Sequence, residues 1–220
     1  MNYIIGLIED DAVEASEIML TLIENSNGDL DGSSFKQYEL KRESDFEEKL
    51  LDTIENDILN NQIQCLLVDY KLDFLHEIVE GIEIVKHFHA IVPEFPVVIL
   101  TNVPETGKEN DQADPDKVYA KKDFLNPDSI ATKAMVYNII RNIKRYSNTR
   151  AALEIDRETA LGSIITNGHY SEQMYDKLIT TERELAKYSP IVLNALDEEY
   201  KSTDMEKAIK ELKEIKELIQ

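Results

Sequence analysis

Five polar residues in the first part of the chain stand where apolar runs end, and their types suit chemistry on charged oxygen atoms. Glu9 and Asp10 follow one apolar run, Asp69 follows a second, Thr101 ends a third and Lys122 follows a fourth. Carboxylates that lie close together repel one another and require a cation, and hard divalent cations prefer oxygen ligands. A carboxylate can also act as an oxygen nucleophile, and a lysine can stabilise negative charge that develops nearby.

Short apolar runs of this kind are typical of buried parallel strands. We predict strands at residues 3–8, 35–41, 63–68, 97–100 and 118–120, the second being more polar, as in an edge strand. Apolar residues recur at helical spacing between them. The alternation predicts an α/β fold with a flavodoxin-like, doubly wound, five-stranded parallel sheet. Its carboxyl edge, where open α/β sheets bind ligands, would then collect the polar residues.

The domain organisation follows from where this alternation stops. We predict a sheet domain at residues 1–146 and a small all-helical domain at residues 147–220. Asn126 before Pro127 predicts the start of the last helix of the sheet domain. A fourth helix between residues 101 and 118 is predicted to be short or absent, since that segment lacks an apolar face. In the tail we expect residues 151–165 to continue the preceding helix or form a new one, followed by a break at Asn167-Gly168 and by helices at residues 171–188 and 203–219.

Composition excludes several classes of function. The net charge of −20, from 44 acidic and 24 basic residues, disfavours nonspecific attraction to nucleic acid or anionic lipid. Residues 147–220 hold 10 basic and 15 acidic residues, so a DNA-binding output is not expected. Cys65 is the only cysteine and is predicted to pack in the core. No signal peptide or membrane span is expected, which favours a cytoplasmic protein.

Four segments resemble the receiver domain of two-component response regulators. They are GLIEDD at 6–11, LLVDYKL at 66–72, VVILT at 97–101 and YAKKDF at 119–124. The resemblance covers residues 1 to about 146. It implies that Asp69 accepts a phosphoryl group from a cognate histidine kinase or phosphotransfer protein. It also implies a bound Mg2+, held directly by Asp10 and Asp69, through water by Glu9, and by the backbone carbonyl of Lys71.

The same resemblance assigns the residues around the phosphoryl group. Lys122 would pair with the phosphoryl oxygens and Thr101 would donate its hydroxyl to them. Neighbouring Lys121 competes for the lysine role. We favour Lys122 because Phe124 then falls where the family's Lys-Pro-Phe places its phenylalanine, and because Tyr119 falls three residues before the lysine, at the aromatic switch position. Asp11 is interpreted as a helix cap.

The sequence also departs from the family pattern. Asp123 stands where the family usually has the proline after the lysine, and Asp73 replaces the proline that often follows the phosphoacceptor loop. Between Asp69 and Gly81 the chain holds four extra residues, at 74–77. We therefore expect an unusual loop beside the site.

The predicted function is a phosphorylation-controlled response regulator rather than an enzyme, with self-catalysed phosphotransfer and autodephosphorylation at most. Its helical tail would bind a protein partner or a second copy of the chain. One alternative is a receiver that serves only as a phosphate sink or relay. Another is an RNA-binding antiterminator-type regulator, against which the acidity of the tail argues.

Overall fold

The computed structural model describes residues 3–40, 46–74, 77–102, 118–167 and 172–190, and all of these belong to one compact unit. The strands, in chain order, are β1 Ile5–Ile8, β2 Phe35–Gln37, β3 Cys65–Asp69, β4 Lys71–Phe74, β5 Glu77–Glu80, β6 Val97–Thr101 and β7 Val118–Ala120. The helices are α1 Ala12–Asn25, α2 Phe46–Leu59, α3 Gly81–Ile91, α4 Lys121–Phe124, α5 Ile130–Asn167 and α6 Glu172–Leu185.

Five strands form one all-parallel sheet in the order β2-β1-β3-β6-β7. The central strand β3 is buried along its whole length, which explains why its sequence is a continuous apolar run up to Asp69. The edge strand β2 is half-buried to exposed, as its polar residues predict. This arrangement of sheet and helices is compatible with a flavodoxin-like receiver fold.

Alternate residues of the strands enter two separate apolar cores. On one side, Leu7, Leu67 and Leu100 pack with the buried faces of α1 and α5. On the other side, Leu66 and Ile99 pack with the buried faces of α2 and α3. Because both faces of the sheet are covered, the strands carry few polar residues except at their carboxyl ends. Cys65 is buried in the core, as predicted.

The five predicted strands are confirmed to within a few residues. The predicted helix start at Pro127 is wrong, because α5 begins at Ile130. Ser129 supplies the capping side chain instead, since its Oγ accepts a hydrogen bond from the backbone N–H of Thr132 at 2.9 Å. The segment of the predicted short fourth helix, and the last predicted helix of the tail, lie outside the described residues.

A two-stranded antiparallel hairpin follows the central strand where the extra residues stand. It pairs β4 with β5, with Lys71 opposite Glu80 and Leu72 opposite Val79. The sequence predicts an unusual loop here, and the structure shows that this loop contains regular strand pairing. The hairpin leads directly into α3, so it lies beside the end of β3 at Asp69.

Helix α5 crosses residue 146 without a break, and the first part of the tail packs on the sheet domain. The Arg150 guanidinium donates to the carbonyl oxygens of Ile58 and Leu59, the last residues of α2, at 2.7 and 2.9 Å. The Tyr146 hydroxyl donates to the carbonyl oxygen of Tyr188 at 2.6 Å. The domain boundary predicted at residue 146 therefore falls inside one helix. Within the described residues, none of the helices combines the length and the apolar character needed to cross a bilayer.

Gly81 provides a test of how tightly the site edge is packed. A Cβ atom at this position would lie 2.1 Å from the carbonyl oxygen of Asp69 and 2.8 Å from Cγ1 of Val68. We expect Gly81→Ala to lower the free energy of unfolding by about 2 to 4 kcal/mol, because backbone atoms must move apart. The measurement is urea denaturation.

The matched control for Gly81→Ala is Gly162→Ala. A Cβ at Gly162, inside α5, would meet no atom within 4 Å. This second substitution should raise stability by up to about 1 kcal/mol through helix propensity. Equal effects of the two substitutions would contradict the close approach at Gly81.

Candidate functional site

The carboxyl edge of the parallel sheet carries a cleft of about 230 Å3. Glu9 and Asp10 follow β1, Asp69 ends β3 and Thr101 ends β6, so neighbouring strands bring four predicted site residues to one place. Among the described residues, those that line the cleft are Glu9, Asp10, Asp11, Glu14, Asp69, Lys71, Thr101, Asn102 and Lys121. The cleft therefore lies at the sheet edge where the sequence predicts the site.

Three carboxylates in the cleft lie close enough to share one cation. One oxygen each from Glu9, Asp10 and Asp69 lie within 4.8 Å of one another. Asp10 is exposed, whereas the side chains of Glu9 and Asp69 are only 1 % and 10 % exposed. An all-oxygen set with exposed members fits a hard divalent cation that keeps some of its water. The residues present could therefore hold a metal ion.

Burial makes the ionisation of two of these carboxylates costly. Burial raises the pKa of Glu9 to about 7, and the nearby Asp69 charge adds to this while contacts with Lys121 oppose it. Burial also raises the pKa of Asp69, against the effect of Lys121 and of a hydrogen bond from the backbone N–H of Lys71. A further positive charge in the cleft would stabilise the ionised form of both carboxylates.

The site lysine is Lys121, and the prediction of Lys122 for this position is wrong. The Lys121 ammonium lies 2.8 Å from Oε2 of Glu9 and 3.1 Å from Oδ2 of Asp69. Its side chain is 2 % exposed, whereas Lys122 is exposed to solvent. The physical reason is the direction of the chain where β7 passes into α4: the residue directly after Ala120 points into the cleft, and the next one points away.

Sequence reasoning missed Glu14. Its carboxylate forms a third ion pair with Lys121, with Nζ and Oε2 2.5 Å apart. Burial alone would lower the pKa of Lys121, but its contacts with the Glu14 and Glu9 carboxylates and the charge of Asp69 outweigh burial and raise it. The available signal was the position of Glu14 in the first turn of the helix that follows the acidic pair, next to the predicted site.

Asp11 has the structural role that the sequence predicts. It is the N-cap of α1, and its Oδ1 accepts hydrogen bonds from the backbone N–H groups of Val13 at 2.7 Å and Glu14 at 3.1 Å. These bonds lower the pKa of Asp11, that to Glu14 having the largest effect. The cap fixes the first turn of α1, and with it the backbone from which Glu14 extends to the cleft.

The remaining predicted site residues are Thr101, Lys71 and Tyr119, and only the first two line the cleft. Thr101 is buried at the end of β6, lines the cleft and pairs with Ala120 across the strands. Lys71 also lines the cleft at its rim. Tyr119 is half-buried and packs against the core on the α1 side. It stands two residues before Lys121, so the three-residue spacing used to predict its switch role is met only by Lys122.

This arrangement can bind a cation and an anion side by side. The carboxylates of Asp10 and Asp69 are hard oxygen ligands, and the Lys121 ammonium offers positive charge to an anion that approaches Asp69. Comparison with protein-family models, with curated proteins and with solved structures finds no match to this chain. The chemistry of the site is therefore inferred from the geometry of its own residues.

The raised pKa of Glu9 predicts a pH-dependent affinity for divalent cations. Below about pH 7 Glu9 holds a proton, which a cation in the cleft must displace, so affinity should fall as the pH decreases. We expect a loss of about tenfold per pH unit below that value for one displaced proton. Calorimetric titration with Mg2+ or Mn2+ between pH 6 and 8 measures this dependence.

Two variants test the origin of this pH dependence. Glu9→Gln should reduce the dependence of cation affinity on pH, because the titrating group is removed. Asp11→Asn should keep it, since the pKa of Asp11 is lowered and the group stays ionised over this range. An affinity that is constant from pH 6 to 8 in the unmodified protein would contradict the assignment.

Proposed function

We propose that this protein is a response regulator that accepts a phosphoryl group on Asp69 from a histidine kinase or phosphotransfer protein. The observation that carries the proposal is the grouping of Glu9, Asp10 and Asp69 with the Lys121 ammonium at the carboxyl edge of a five-stranded parallel sheet. The same four residues stand within the segments that resemble a receiver domain, with Lys121 in the place first given to Lys122. The full topology we propose is the doubly wound, flavodoxin-like one.

The metal proposed for the site is Mg2+. Asp10 and Asp69 would hold it directly, Glu9 through water, and the backbone carbonyl of Lys71 would complete the protein ligands. When bound, the ion would neutralise charge on the phosphoryl oxygens. The close set of carboxylate oxygens supports this proposal, since the negative charges are only partly balanced by Lys121.

The chain's own residues account for the transfer step. A carboxylate oxygen of Asp69 forms a bond to phosphorus while the bond from phosphorus to the donor breaks, and the bonding electron pair leaves with the donor. For a phosphohistidine donor that broken bond is P–N, and for acetyl phosphate it is P–O. Lys121 would stabilise the negative charge of the phosphoryl oxygens, and the Thr101 hydroxyl would donate a hydrogen bond to them.

The helical tail is the proposed output. Helix α5 joins the sheet domain to the tail without interruption, and Arg150 and Tyr146 bind the first part of the tail to that domain. A change at the site therefore has a continuous, packed route to residues beyond 146. We propose that this tail binds a protein partner or a second copy of the chain. A phosphate sink or relay is the alternative function, and slow loss of phosphate would favour regulation over it.

Phosphorylation by a small donor tests the proposed function. With acetyl phosphate and Mg2+, the intact mass should increase by one phosphoryl group, and Asp69→Asn should abolish the increase. Lys121→Ala should slow the reaction by about a hundredfold or more, as expected for the loss of a charge that stabilises the transition state. Lys122→Ala is the matched control and should leave the rate nearly unchanged, because its side chain is exposed.

An Asp69→Asn variant that still gains a phosphoryl group at the original rate would contradict the proposal. Equal effects of the two lysine substitutions would contradict the assignment of Lys121.

A further inference from the structure

Carboxylates of the described residues surround the Lys121 ammonium, and its hydrogen bond is to Glu14. An ammonium group has three N–H donors, and three carboxylates lie around this one, those of Glu14, Glu9 and Asp69. The contact with Glu9, at 2.8 Å, is an ion pair without the angle of a hydrogen bond. A new anion beside Asp69 would therefore compete with these carboxylates for the Lys121 ammonium.

The three carboxylates differ in how easily they could release the lysine. The side chains of Glu9 and Asp69 are 1 % and 10 % exposed, and both extend from the ends of sheet strands. Glu14 is 34 % exposed and extends from the first turn of α1. A carboxylate that is already partly hydrated loses least when its ion pair breaks, because water replaces the lost contact. Glu14 is therefore the contact that an incoming anion would displace.

We propose that Glu14 is a positioning residue of this site, which holds Lys121 in the anion-free protein and competes with the phosphoryl group for it. This inference rests on the proposed function, and it adds a residue that sets how strongly the site retains its phosphoryl group. Glu14 also adds a negative charge to the cleft, which opposes the approach of an anion. Both effects weaken the binding of an anion.

A purely structural role for Glu14 makes a different prediction. If Glu14 served only to neutralise a buried ammonium, its removal would loosen the site and weaken the binding of every ligand. If Glu14 competes for Lys121, its removal should strengthen the binding of an anion. It should leave the affinity for Mg2+ alone unchanged or lower, because the freed lysine stays near Asp69 and a negative charge is lost. The opposite effects on anion binding separate the two roles.

The experiment compares Glu14→Gln with Glu17→Gln in the full chain. Glu17 is an exposed residue of the same helix, so the control removes the same charge away from the cleft. Beryllofluoride, an analogue of the phosphoryl group, is titrated in the presence of Mg2+, and Mg2+ alone is titrated separately. We expect Glu14→Gln to bind beryllofluoride about three- to tenfold more tightly than the unmodified protein, and Glu17→Gln to bind it equally.

A second measurement follows Lys121 without any anion. The 15N resonance of its ammonium group, assigned by comparison with Lys121→Arg, should shift in Glu14→Gln and stay in place in Glu17→Gln. Unchanged or weaker beryllofluoride binding by Glu14→Gln, or an unshifted Lys121 resonance, would overturn the inference. Failure of the unmodified protein to bind beryllofluoride, together with a shifted resonance in Glu14→Gln, would instead overturn the proposed function and leave the lysine contact established.

Discussion

The ammonium of Lys121 allows several carboxylates to lie together at the edge of the sheet. Glu9 and Asp69 are held close by neighbouring parallel strands, and their mutual repulsion is balanced by this one group, which pairs with both. Burial nevertheless raises the pKa of Glu9 to about 7, so the ammonium does not fully offset the cost of ionising this carboxylate. A site with excess negative charge and a fixed ammonium beside it can bind a divalent cation and an anion together. The proposed phosphoryl transfer requires that combination.

The packing around Asp69 keeps this geometry fixed. Gly81 allows the start of α3 to approach the carbonyl oxygen of Asp69 at a distance that a side chain would prevent. Away from the site, Arg150 binds the carbonyl oxygens at the end of α2, and Tyr146 binds the carbonyl oxygen of Tyr188. The last turn of α2 has no basic residue of its own, so the guanidinium from α5 provides the positive charge that a helix C-terminus favours. The first part of the tail is thereby part of the same packed structure.

The sequence predicts the sheet and the place of the site, because buried parallel strands require continuous apolar runs and only their ends can carry polar residues. It does not distinguish Lys121 from Lys122, since the motif spacing to Phe124 favours one residue and the course of the chain after β7 favours the other. Glu14 is missed because an acidic residue in a first helical turn has an ordinary explanation in the helix dipole. The β4–β5 hairpin is missed because its two short strands have no clear alternation, and their pairing depends on the tertiary position of β3.

The proposed site is tested most directly by a crystal structure of the protein with Mg2+ and beryllofluoride. We expect beryllium bound to a carboxylate oxygen of Asp69, the metal ion on Asp10 and Asp69, and the Lys121 ammonium in contact with fluoride in place of Glu14. Beryllofluoride on another side chain, or a metal ion bound away from Asp10 and Asp69, would contradict it.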